Sequence, residues 1–433
     1  MKLTTRRKFL AHSAIALPAI LPALNGRAAP GERITMAFVG MGNRGIGVME
    51  AFLNHADVQG VAICDVHDLH YRDREWGKGR ALGRKPGKAL VDNVNGNSDC
   101  VAYSDYRELL ERDDLDAIMV ASPDHWHYNI TMAALKKGLD VYCEKPVTHL
   151  FAEGQDVYRE VAKREAIFQV GSQQRSDPLF RKAVEIVRNG HLGKLSGFEV
   201  GLPAGYPEPM GDTKIAPIPE GLDYDMWCGP GEKLPYMRAR HHRWWRGHTE
   251  YGGGNLMDFI GHHNDIAHWG MGYENSGPVK VETRKWNLPE TDIYNTPVDY
   301  EIRCTYPDGK IGIISSQYTG GAKWIGAHGW VRVNRGKLEA SNPEWLEDSF
   351  DPGPWKAYRS PGHQRNFIDS VKSRKETVAP AENGHRSITP GHLAMVAAKT
   401  GRAIQWDPEQ EVIIDDDAAQ AELVKREYRE WSA

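Results

Sequence analysis

The chain has 433 residues, of which 40% are hydrophobic and 26% charged, with a formal net charge of −4. That length holds two domains or more, and that composition packs a core and excludes global disorder. The near balance of charge excludes the basic field that a nucleic-acid partner requires.

At the N-terminus, Thr4-Thr5-Arg6-Arg7-Lys8-Phe9-Leu10 precedes an apolar stretch over residues 14–24. Paired arginines before a modest apolar region resemble a bacterial twin-arginine export signal, with Ala28 and Ala29 as the small residues near the cut. An ordinary secretory signal or a membrane anchor is the alternative. Residues 1–30 are set apart from the fold on this basis, and a periplasmic or exported protein is expected. Beyond residue 25 no apolar run is long enough to span a bilayer, so the mature chain is expected to be soluble. A twin-arginine substrate folds before it crosses, so it can carry a bound cofactor with it.

From residue 31 to 152 a dinucleotide-binding domain is expected. Short apolar runs at 34–39, 58–64, 116–121, 139–143 and 167–171 read as buried parallel strands. Amphipathic stretches at 106–112, 128–137 and 153–164 read as the helices between them. The alternation is that of a doubly wound α/β sheet. Residues 72–88 interrupt it with a basic, glycine-containing excursion that reads as a solvated loop. Residues 153–433 form the expected second domain, for substrate and oligomerisation. Its reading is a helix at 178–188, a strand at 195–202, an ordered aromatic-bearing loop at 203–235 and a helix at 251–270. Strands follow at 279–286, 298–306, 311–318 and 329–334, with a hairpin turn at Pro307-Asp308-Gly309. Helices at 363–372, 392–402 and 418–431 end the chain. The second domain is thus α/β with a large, mostly antiparallel open sheet, and a homodimer or homotetramer is expected because open sheets seek partners. Cys64, Cys100, Cys143, Cys228 and Cys304 are odd in number and widely spaced, which reads as small core residues and not as a disulfide framework.

The first strand runs into Gly40-Met41-Gly42-Asn43-Arg44-Gly45 and a helix. Glycines there allow a tight turn and a close backbone approach to a pyrophosphate, and the helix N-terminus offers N–H groups and a positive dipole end. The second strand leads to Asp65, 20 residues after Gly45, where an acid accepts hydrogen bonds from ribose hydroxyls. A carboxylate opposes a 2′-phosphate, so NAD is expected over NADP, although Arg44 could assist a phosphate. Ligands sit outside the carboxyl ends of strands in such sheets, which adds Ser122, Pro123 and His127 after the strand at 116–121. Glu144 and Lys145 join them after the strand at 139–143.

The glycine turn, Ser122-Pro123-Asp124-His125-Trp126-His127 and Glu144-Lys145-Pro146 together resemble the Gfo/Idh/MocA oxidoreductase family. Gly171-Ser172-Gln173-Gln174-Arg175, Asp223-Tyr224-Asp225-Met226-Trp227-Cys228-Gly229-Pro230, Gly252-Gly253-Gly254-Asn255-Leu256-Met257-Asp258 and His363-Gln364-Arg365-Asn366-Phe367 extend the resemblance over residues 33–415. It implies an N-terminal Rossmann domain, Lys145 beside the nicotinamide and a cis peptide before Pro146. It also implies a catalytic Asp and a His four residues later, matched by Asp258 and His262. The family's glycine two residues after that Asp is Ile260 here, with glycine at Gly261, which leaves His262 and His263 both open as the residue facing substrate. Arg175, Trp227 and His263 are the expected substrate contacts.

Oxidising a secondary alcohol needs a proton acceptor and a hydride acceptor. Asp258, His262 and Asp265 fall at i, i+4 and i+7, hence on one helical face. A His whose tautomer an acid fixes can take the proton, with Lys145 as polariser or relay and Asp258 as anchor. The alternative is that the acids pair locally and the histidines are core residues. His262, His263 and Asp265 lack the spacing of a zinc motif, and no metal is expected. Trp244-Trp245 lie among Arg238, Arg240, His241, His242 and Arg243, a basic and aromatic cluster suited to an acidic or oligomeric sugar. The leading expectation is an NAD-dependent oxidoreductase acting on a sugar, sugar derivative or glycoside with a tightly held cofactor. A glycosidase working through transient oxidation and a sugar-sensing protein without turnover are the alternatives.

Overall fold

The structure, a computed structural model, describes residues 30–74, 77–426 and 429. The expected export signal lies outside these residues.

The N-terminal half is built on six parallel strands in the order β5-β2-β1-β6-β7-β8. They are β1 (Ile34–Val39), β2 (Val58–Cys64), β5 (Val101–Tyr103), β6 (Ala117–Val120), β7 (Asp140–Cys143) and β8 (Phe168–Val170). β6 and β7 are buried at every residue, as strands covered on both faces must be. Val39 pairs with Cys64 and with Val120, Val120 with Cys143, and Cys143 with Val170. The carboxyl ends therefore finish in one row, and Gly40, Asp65, Ala121, Glu144 and Gly171 stand side by side along it. The strand order reverses between β1 and β6, the topological switch point of a doubly wound sheet.

The basic excursion is not a solvated loop. His70–Tyr71 (β3) and Ala81–Leu82 (β4) pair antiparallel, and Arg84–Asn95 is a helix. Arg72, Arg74 and Arg80 turn inward and line the central cleft. Leu82 and Val91, buried under the excursion, hold it against the sheet.

The second sheet has nine strands in the order β15-β14-β13-β9-β12-β11-β10-β16-β17. In chain order they are β9 (Leu195–Gly201), β10 (Lys280–Asn287), β11 (Asp299–Thr305), β12 (Ile311–Ser315), β13 (Gly321–Gly326), β14 (Gly329–Asn334), β15 (Lys337–Ala340), β16 (Ile404–Asp407) and β17 (Val412–Ile413). β9 and β12 pair in parallel and the other neighbours antiparallel, so the sheet is large, mixed and mostly antiparallel. Helices Pro178–Arg188, Gly254–Met271 and Ala381–Thr400 pack on it. The last of these runs through Pro390, so the helix begins well before residue 392. Of the helix expected at 418–431, Asp417–Leu423 is helical and ends at Val424, while residues 427, 428, 430 and 431 lie outside the described residues.

Two features tie the halves together. The loop after β9 folds back as an ordered body, with Leu222, Tyr224, Trp227, Cys228, Tyr236, Trp245 and Tyr251 forming their own apolar cluster. The helix His363–Ser373 returns to the first domain, where Phe367 packs edge-on to Phe52 and Tyr142, with ring centroids 5.8 and 6.0 Å away. All five cysteines are buried and free, as small core residues.

Candidate active site

A cleft of about 700 Å³ runs along the row of strand ends. At its first end the glycine turn is sterically fixed. Gly40 has φ +86°, and a Cβ there would lie 2.6 Å from the backbone of Ala121 across the switch point. A Cβ on Gly45 would lie 1.7 Å from the Gly40 carbonyl oxygen, so Gly45 packs the helix against its own turn beneath the cleft. Gly42 borders the cleft with nothing within 4 Å of its Cβ position. It is also the N-cap of the helix Asn43–Leu53, and no side chain caps that helix. Asn43 Oδ1 and Ser122 Oγ are buried without a hydrogen-bond partner beside this opening. An open glycine, an uncapped helix N-terminus and orphaned polar atoms fit a dinucleotide pyrophosphate.

The other expected cofactor residues converge here. Asp65 lines the cleft, and its carboxylate already accepts hydrogen bonds from Met41 N (2.6 Å) and His67 N (2.8 Å). Burial pushes this carboxyl up to about 6. Arg44 reaches across the opening to donate to Glu144 Oε1 at 2.9 Å. Gln173 Nε2 donates to the same oxygen, while Glu144 Oε2 has no partner. The space for this carboxylate exists because residue 171 is glycine; a Cβ there would lie 2.6 Å from Oε1. The ring of His127 spans the Pro146 carbonyl (2.7 Å) and the Ser122 carbonyl (2.9 Å), bolting two strand-end loops together beside Pro123. The Lys145–Pro146 peptide is cis.

At the far end, Lys145 Nζ donates to both Asp258 Oδ1 (2.5 Å) and the Asp258 carbonyl (2.8 Å). Arg246 Nε lies 3.1 Å from the same Oδ1, within ion-pair range but off its N–H axis. Asp258 is therefore clamped between two cations. Although burial opposes it, Arg246 and Lys145 hold its carboxyl well below the usual range. One turn along the helix Gly254–Met271, His262 also faces the cleft. Burial, Lys145 and Arg335 hold its imidazole well below 6.5, and its Nδ1 has no partner. Gly261 lies against Lys145, whose Cβ would be in ordinary van der Waals contact, at 3.6 Å, with a Cβ on residue 261.

The expected contact set changes in several places. Among the described residues no acid fixes the His262 tautomer; Asp258 is occupied by Lys145 and Arg246. Asp265 points away to Arg175, whose Nε and Nη2 donate to it at 2.7 and 2.8 Å, while Nη1 donates to Glu274 at 2.8 Å. Arg175 is a buried tie between elements and borders a separate depression with Trp269 and Glu274. His263 is turned from the cleft, with its Nδ1 3.5 Å from Gln174 Nε2. Trp227 borders the cleft but is 5% exposed and packed between Tyr224, Tyr251 and His241.

Asp124, Arg246 and Arg335 are among the cleft residues left without a role in the sequence. Asp124 belongs to the Ser-Pro-Asp motif and is 2% exposed. Burial raises its carboxyl to about 7, with Asp258 adding to the rise and Arg246 opposing it. Arg335 overhangs His262 from the turn after β14, and among the described residues no carboxylate lies within ion-pair distance of it. Arg246 sits in the aromatic segment His242–Gly247, where its guanidinium lies 4.2 Å over the Trp245 ring.

The Gfo/Idh/MocA descriptions "Oxidoreductase family, NAD-binding Rossmann fold" and "Oxidoreductase family, C-terminal alpha/beta domain" match residues 34–172 and 208–433 respectively. The myo-inositol 2-dehydrogenase of Thermotoga maritima is 24% identical over 325 residues, which is 71% of this chain and 84% of that protein. A glycosyl hydrolase family 109 protein of Stenotrophomonas maltophilia is 26% identical over 231 residues, covering 53% of this chain and 48% of that protein. Among solved structures, GenD2 from gentamicin A biosynthesis in complex with NAD shares the fold, with a TM-score of 0.60, 16% identity, and coverage of 89% of this chain and 100% of that one. With a glycine cradle shaped for a dinucleotide and one family match spanning more than half its length, the chain belongs to the Gfo/Idh/MocA family and is an NAD-binding oxidoreductase.

Proposed function

We propose that the enzyme oxidises a secondary CH–OH group of a sugar, sugar derivative or glycoside. The supporting observation is that Lys145, its partner Asp258 and His262, whose Nδ1 has no hydrogen-bond partner, line the same cleft as the glycine turn. NAD, when bound, supplies the acceptor for the hydride leaving the carbinol carbon. Lys145, anchored by Asp258 through two of its N–H groups, directs its third toward the substrate oxygen and orients it. Arg246 holds Asp258 in place for that task. His262 is neutral and takes the hydroxyl proton at Nδ1. Arg335 receives an anionic group of the substrate, which favours sugar acids over neutral sugars.

A second reading has support from the family 109 relative. Transient oxidation of a sugar hydroxyl acidifies the neighbouring C–H, the glycosidic group leaves by elimination, water adds, and the hydride returns to the sugar. Both readings use the same residues. We further propose that the cofactor stays bound between turnovers, that residues 1–30 direct export, and that the open face of the second sheet associates with another copy.

Incubation with a panel of sugars, sugar acids and aryl glycosides tests the function. Growth of reduced cofactor matching loss of sugar supports the dehydrogenase; aglycone release without net cofactor reduction supports the glycosidase. Lys145→Ala and His262→Ala should each abolish turnover while mass spectrometry still finds NAD in the protein. Full activity in either variant refutes the assignment, and binding of sugar without any turnover identifies a sensor.

A further inference from the structure

We propose that His67, His70 and His242 form a site for one divalent transition-metal ion, which clips the second domain onto the Rossmann domain at the Asp65 end of the cleft.

Each of the three rings offers one nitrogen, and these nitrogens lie within 4.8 Å of one another. They come from separate parts of the fold. His67 is in the turn after β2, two residues beyond Asp65, and His70 begins β3 of the inward-folded excursion. His242 opens the 3-10 segment His242–Gly247 of the second domain. The ring of His70 is 3.8 Å from that of His242 and 4.9 Å from that of His67, centroid to centroid.

One prospective ligand atom of this cluster has no partner, and the neighbouring ring of His241 has none at either nitrogen. A neutral imidazole carries one donor and one acceptor, and both need partners when buried. His67 Nδ1 is buried without a partner, and so are both ring nitrogens of His241, whose ring lies 3.9 Å from that of His242. His242 itself holds φ at 49°, a left-handed backbone that only surrounding constraints maintain in a residue with a side chain. A packing role alone would favour apolar rings here. Imidazole nitrogens select zinc, nickel, copper or iron over calcium and magnesium, which take oxygen ligands.

Three ligands on a tetrahedral ion at ordinary Zn–N lengths stand about 3.3 Å apart. All three histidines line the cleft. The nearby cations are offset: Arg238 pairs with Asp73 at 2.5 Å, and Arg84 pairs with Asp68. Because His242 and Arg246 share one short segment, the ion also sets where Arg246 meets Asp258.

The test uses the full chain without an affinity tag, stripped with a chelator and titrated with Co²⁺ and then Zn²⁺. One ion per chain should bind, with the visible spectrum of nitrogen-ligated tetrahedral cobalt, and Zn²⁺ should raise Tm. His70→Gln and His242→Gln should each weaken Zn²⁺ binding by at least about 100-fold, the upper end of what removing a mere supporting residue costs. His191→Gln, at a distant surface histidine, should not change it. On the unmodified protein, Zn²⁺ should shield the half-buried His70 and His242 from diethyl pyrocarbonate, mapped by peptide mass spectrometry. No saturable binding, binding indifferent to both substitutions, or protection at other histidines overturns the proposal.

Discussion

Asp124→Asn should make the protein more stable in mild alkali and flatten its stability against pH. Asp124 is enclosed near the head of the helix Asp124–Lys137, and its carboxyl sits at about 7 against an ordinary 3.8. Above the unfolded value the folded state holds this proton more tightly than the unfolded chain does. Stability is therefore highest below about pH 4 as far as this group is concerned, and falls as pH rises toward 7. About three pH units at 1.36 kcal/mol each make a total of about 4 kcal/mol, of which some 3 kcal/mol falls between pH 5 and 7. Asparagine mimics the protonated acid at every pH, so the variant should lose that slope. Urea denaturation at pH 5 and pH 8 measures it: the wild type should lose about 3 kcal/mol more than Asp124→Asn between the two. Equal losses in both proteins would refute the burial of an ionisable carboxyl at this position.

Gly45→Ala places a methyl against the Gly40 carbonyl, so the turn must open, and bound NAD should fall by about 100-fold as read by mass spectrometry of released cofactor. Arg175→Ala strands the carboxylates of Asp265 and Glu274 and should cost about 3–5 kcal/mol in urea denaturation. KM should stay unchanged in folded Arg175→Ala, since Arg175 lies outside the cleft. Arg335→Ala should raise KM for sugar acids about tenfold or more and leave neutral sugars unaffected, which steady-state kinetics on matched pairs can decide.

The glycine turn was legible because its meaning is local: three glycines, a preceding apolar strand and an acid after the next strand specify one supersecondary unit. Lys145 was legible through a motif at a strand end. The face-sharing of Asp258, His262 and Asp265 followed from helical period, yet period does not measure depth. Asp265 lies seven residues and about 10 Å further along the axis than Asp258, where the cleft has ended and Arg175 waits. Arg246 and Arg335 were illegible because they sit in a 3-10 segment and a turn, which carry no period, and reach the site only through tertiary folding. β5, β15 and β17 are short and mostly exposed or half-buried, so they leave no apolar run, and β13 begins at Gly321 directly after Gly320, which reads as a break. Pro390 hid the first half of a helix because the ring removes one internal hydrogen bond, a loss the packed surroundings of Ala381–Thr400 absorb.

The return of Phe367 to the first domain makes the nucleotide-binding half an inseparable module. Phe367, Ile368 and Val371 belong to the same apolar cluster as β1 and the helix Asn43–Leu53, and Arg365 and Lys372 both pair with Asp57. A fragment ending anywhere before residue 363 would leave Phe52 and Tyr142 facing water. During synthesis, the nascent Rossmann sheet must wait for almost the whole polypeptide before its last wall is in place, and expression of that half alone should yield a sticky, aggregation-prone product.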